Sequence, residues 1–153
     1  MKSVCLLVLV SLCQGLPLET RVAQLSAPNT VHVTVRDDSA IKISWNKIDS
    51  GNAKDPVIGY KVKVWKVKNV ETINHAIVNG EVTQSMEESL EPIDIVSGPS
   101  GLPEVIVTSA RETTTIFQDV KLGVTYEIRV QAFTNTGEGP SSGPVRVTLD
   151  KDS

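Results

Sequence analysis

Apolar and polar residues alternate in short runs along most of this chain, and turn formers separate the runs. Val31, Val33 and Val35 alternate with His32 and Thr34, and Ile41, Ile43 and Trp45 alternate with Lys42, Ser44 and Asn46. Tyr60, Val62 and Val64 are interleaved with Lys61, Lys63 and Trp65; Tyr126, Ile128, Val130 and Ala132 are interleaved with Glu127, Arg129, Gln131 and Phe133. Val145, Val147 and Leu149 close the set. A period of two is the signature of strands that bury one face. Two β-branched runs, at 105–108 and 113–118, bring the predicted strands to seven. No long helical period competes, so the pattern predicts an all-β, seven-stranded antiparallel sandwich. Trp45, Tyr60 and Tyr126 fall on its inward side as core aromatics.

The N-terminus changes the picture of compartment. Lys2 precedes an apolar run from Val4 to Leu12, and Cys13-Gln14-Gly15 places small residues before a cut. This is the layout of a secretory signal peptide over residues 1–15, too short to span a bilayer. Both cysteines, Cys5 and Cys13, lie within it. The mature chain then has no disulfide, thiolate metal site or thiol nucleophile, and its core alone must hold it. The expected location is extracellular. The net charge is −3, or −4 once Lys2 is removed, and no basic block occurs. That balance argues against nucleic acid and heparin as partners.

The most specific residues lie late in the chain. Tyr126 opens an alternating strand, and Asn135-Thr136-Gly137-Glu138-Gly139-Pro140 follows it as a small-residue turn. Trp45 ends an earlier strand, and Pro56-Val57-Ile58-Gly59-Tyr60 leads into another. Together these landmarks resemble a fibronectin type III domain over residues 26–150. The resemblance implies an immunoglobulin-like sandwich in which the Tyr126 hydroxyl ties back to backbone a few residues upstream. It also implies a binding role without naming the partner. Val120 and Leu122 stand where the family usually carries leucine and proline. Neither an Arg-Gly-Asp signal nor a Trp-Ser-x-Trp-Ser signature occurs in the chain.

Segment 68–103 is longer than the hairpin the family normally places there. It carries Glu71, Glu81, Glu87, Glu88, Glu91 and Asp94 against one cation, Lys68. Ser85-Met86-Glu87-Glu88 fits a capping box, with Met86 and Leu90 four apart and Pro92 as a stop, which predicts one or two helical turns in an acidic loop. A long loop on a rigid sandwich is where binding variation is usually carried.

Catalytic chemistry finds little footing. His32 and His75 are far apart in sequence, no nucleophile elbow accompanies them, and no carboxylate pair has calcium-ligand spacing. The chain reads as a non-enzyme with no cofactor and no metal. The candidate binding residues are therefore Trp65, Arg129, Lys61 and Lys63 on the outward side of the sheet, and Glu87, Glu88 and Leu90 in the insertion. Antiparallel pairing would set Trp65 opposite Glu127 or Arg129, within reach of a cation–π contact. The expected partner is an extracellular or cell-surface protein. The alternatives are a structural matrix spacer and a piece of a longer multi-domain receptor.

Overall fold

Each alternating run forms a strand in the computed structural model, which describes residues 25–151. The strands are β1 (Val31–Asp37), β2 (Ala40–Trp45), β3 (Gly59–Lys66), β4 (Asn69–Val78), β5 (Glu81–Leu90), β6 (Glu104–Ser109), β7 (Thr114–Phe117), β8 (Thr125–Phe133) and β9 (Val145–Thr148). The leader expected over residues 1–15, with Cys5 and Cys13, lies outside the described residues.

Seven of these strands make the sandwich. One sheet has the order β1-β2-β7 and the other β6-β3-β8-β9, all antiparallel. Between them Ile41, Ile43, Tyr60, Val62, Ile128, Val130 and Ala132 are fully enclosed. Their burial is the main stabilising term, at roughly 1.5–3 kcal/mol for each large aliphatic side chain. Trp45 packs against Tyr60 with ring centroids 5.5 Å apart, and Phe117 meets Tyr126 edge-on at 5.6 Å. Each buried tyrosine hydroxyl has a partner. Tyr126 Oη accepts the Lys121 amide at 3.0 Å, and Tyr60 Oη accepts the Ile48 amide at 2.9 Å. Both rings can therefore be buried without leaving the hydroxyl unsatisfied.

The insertion departs from expectation. In place of the acidic loop and helical turn expected at Ser85–Glu88, β4 and β5 form a ten-by-ten-residue hairpin paired from Asn69↔Leu90 to Val78↔Glu81. Its turn is Asn79-Gly80, with φ of 53° and 83°. Two successive positive φ values define the tight turn whose twist matches paired strands, and Asn-Gly is the dipeptide that adopts it most readily. The β-branched residues Val70, Thr72, Ile73, Ile77 and Val78 then favour extension. A capping pattern of four residues offers a few tenths to a kcal/mol and loses to ten paired positions.

Candidate protein-interaction surface

Strand β8 runs through the centre of the four-stranded sheet, and its residues Thr125 to Ala132 are buried on both faces. The inner face is the core. The outer face carries Gln131, Arg129 and Glu127, set opposite Lys61, Lys63 and Trp65 of β3. Glu127 is completely enclosed and its two carboxylate oxygens are held by two arginines: Arg129 at 3.1 Å and Arg146 of β9 at 3.0 Å. A charge that deep is tolerable only because both oxygens have cationic donors.

A strap, residues 91–101, covers this triad. Arg129 donates to the carbonyl oxygen of Ile95 at 3.0 Å and to that of Asp94, while Arg146 donates to the Glu91 carbonyl at 2.8 Å. Gly98, at φ 85°, lies flat on the Trp65 indole; a Cβ there would stand 3.2 Å from the ring. The Arg129 guanidinium lies 5.7 Å from the Trp65 ring centroid, the cation–π pair that the register implied. The pair is under cover, with Trp65 6% and Arg129 3% exposed. The outward-facing sheet positions named as candidate contacts at these two residues are thus the floor on which the insertion rests.

Glu91 fastens the strap to the root of the hairpin. Its carboxylate accepts the Lys68 amide at 3.2 Å and the Ser100 amide at 3.1 Å, and its own amide donates to the Lys68 carbonyl at 2.9 Å. Burial works to raise its pKa, but the Ser100 and Lys68 hydrogen bonds and the Arg146 charge outweigh that and hold it below its ordinary value. Asp94 is lowered by the Ser97 hydroxyl and by the Ser97 and Val96 amides, which shapes the turn at the strap's middle.

Beyond this root the arm formed by β4 and β5 is exposed on both faces along its whole length. Residues directly opposite in an antiparallel pair share a face. One face therefore carries Ile77/Val82, His75/Gln84, Ile73/Met86, Glu71/Glu88 and Asn69/Leu90; the other carries Thr72/Glu87, Asn74/Ser85 and Ala76/Thr83 between Val70 and Val78. The first face is apolar and open, with Ile77 78%, Val82 69%, Met86 66% and Ile73 51% exposed. Of the predicted arm residues, Glu88 and Leu90 lie on this face and Glu87 on the reverse. Ile73, Ile77, Val82 and Met86 were not among the candidates, although Asn79-Gly80 between two β-branched runs was their signal. On the sheet, Lys61 and Lys63 are half-buried beside the exposed edge residues Val105 and Val107, and Lys61 is ion-paired with Glu138. The hydrogen bond from Lys61 is the main cause holding Glu138 below the usual carboxylate range.

Among the described residues there is no cluster of three or more His, Cys, Asp and Glu fit to hold a metal ion, and no helix long and apolar enough to cross a membrane. What the described residues present is a two-sheet immunoglobulin-like sandwich with a projecting two-stranded ribbon. The sequence profile of the fibronectin type III domain matches residues 26–148, and the chain belongs to that family. Contactin of Drosophila melanogaster is 27% identical over 126 residues, which cover 81% of this chain and 7% of contactin. Receptor-type tyrosine-protein phosphatase F of Danio rerio is 24% identical over 139 residues, covering 89% of this chain and 6% of that protein. The chain thus spans a small fraction of these relatives. The crystal structure of the chicken CNTN1 FN1–FN3 domains superposes with a TM-score of 0.54 at 21% identity, over 82% of this chain and 31% of that one, a likeness of fold.

Proposed function

We propose that this chain is an extracellular, non-catalytic protein-recognition module that uses its inserted arm as the contact element. The observation that carries the reading is the arm itself: ten paired residues per strand, open on both faces, with five large aliphatic side chains on one of them. An isolated two-stranded hairpin is marginal in water, and exposed apolar patches of this kind mark interaction sites. The leader-like sequence at residues 1–15 and the likeness to a receptor-type phosphatase support the extracellular setting. Glu88 and Leu90 contribute to contact directly. Trp65 and Arg129 serve it from below by seating the strap, and Lys61 and Lys63, on the same face of the sheet as Arg129, are a second contact.

The test compares the intact domain with a variant in which a short turn joins Lys68 to Glu91, whose backbones already meet at 2.9 Å. Each is immobilised and exposed to cell-surface and matrix protein. Retention by the intact domain alone is the expected result. Equal retention by both would move the site to the sheet beside Lys61 and Lys63. No retention by either would favour the spacer role.

A further inference from the structure

The arm's open face specifies the chemistry of what covers it. From tip to root it reads as an aliphatic pair, a His/Gln pair, a second aliphatic pair, a pair of glutamates and Leu90. Glu71 and Glu88 stand directly opposite one another, an arrangement that destabilises a ribbon through like-charge repulsion. Residues 69–90 contain four glutamates and neither Lys nor Arg. Among the described residues neither Glu71 nor Glu88 has an ion-pair partner; Glu88 is met only by the Asn69 amide group at 2.7 Å.

A second copy of the chain does not fit this face. Packed arm on arm, the face offers Glu71 and Glu88 no lysine or arginine, since residues 69–90 contain neither. A complementary partner places aliphatic side chains against Ile73, Ile77, Val82 and Met86 and a cation between the two carboxylates. Resting on the recognition role proposed above, we infer that the arm docks a basic–apolar protein segment, one in which aliphatic residues flank a lysine or arginine that bridges Glu71 and Glu88.

The probe is a random-peptide phage library selected on the intact domain, with binders measured on three variants: E71Q/E88Q, Met86→Ser, and the arm replaced by a turn. The inference expects an enriched consensus of aliphatic residues around Lys or Arg. Affinity should fall roughly tenfold on E71Q/E88Q, with a shallower salt dependence, and be lost on the other two. Binders lacking cations, or binding E71Q/E88Q as tightly as the parent, would overturn it, as would concentration-dependent dimerisation lost on Met86→Ser. Peptides that bind the arm-less variant equally well would sink this inference and leave protein recognition standing elsewhere on the domain. Failure to enrich any peptide would count against both.

Discussion

The pairs β3–β8 and β4–β5 are both long antiparallel ladders, yet their surroundings are opposite. Residues Thr125 to Ala132 of β8 are buried, whereas every residue of the arm is exposed. Backbone pairing is common to both, so it is not what separates a scaffold strand from a presented one. The difference lies in what covers them: a second sheet and a strap for β8, and nothing in the described residues for the arm. The sandwich is therefore where sequence changes should cost stability, and the arm is where they should cost little.

The largest effects should come from the core. Trp45→Ala or Tyr126→Ala should destabilise by about 3–5 kcal/mol in a denaturant titration. A variant as stable as the parent would mean that β2 or β8 is not a core strand. Next is the outer face, where a solvated surface would tolerate change and the enclosed triad would not. Glu127→Gln should cost about 3 kcal/mol, because Arg129 and Arg146 would lose the charge that balances them. A loss within about 0.5 kcal/mol would place that face in solvent after all.

Acid should separate strap from sheet. The Glu91 carboxyl is lowered in the folded state, so its contribution is present above the ordinary glutamate range, about 4.3, and fades as pH falls through the lower folded value. Protection factors of the Lys68 and Ser100 amides, taken against the intrinsic exchange rate at each pH, should fall there, and Glu91→Gln should show the reduced protection already at neutral pH. Protection unchanged by either would show that the two amides are held by something other than this carboxylate. The smallest effect belongs to the arm: Met86→Ser should change stability by no more than about 0.5 kcal/mol. A core-sized loss would erase the contrast between the two ladders.

The sandwich was legible because its strands keep period two and its turns keep their chemistry. Tyr126, Trp45 and the Trp65–Arg129 pair followed from position within those strands. The groups that make the cover were not legible. A polar residue on the outward side of a strand, such as Glu127, has the same local sequence whether it meets water or Arg146, 19 residues further on. The acceptors that seat Arg129 are main-chain carbonyls of Asp94 and Ile95, which carry no side-chain signal at all. At Ser85–Glu88 a local helical motif and a non-local strand pairing competed. Only the facing run from Val70 to Val78, folded back by Asn79-Gly80, decided between them.

Mechanically, the arm is a lever about 34 Å long, footed where the Lys68 and Glu91 backbones meet and where the Glu91 carboxylate grips two amides. A sideways pull at the tip becomes a torque on those few hydrogen bonds, loaded one after another, while the β3–β8 ladder would have to shear at many points together. Under tension from a bound partner the footing is expected to yield first, letting the arm swing and the strap lift while the sandwich beneath keeps its shape.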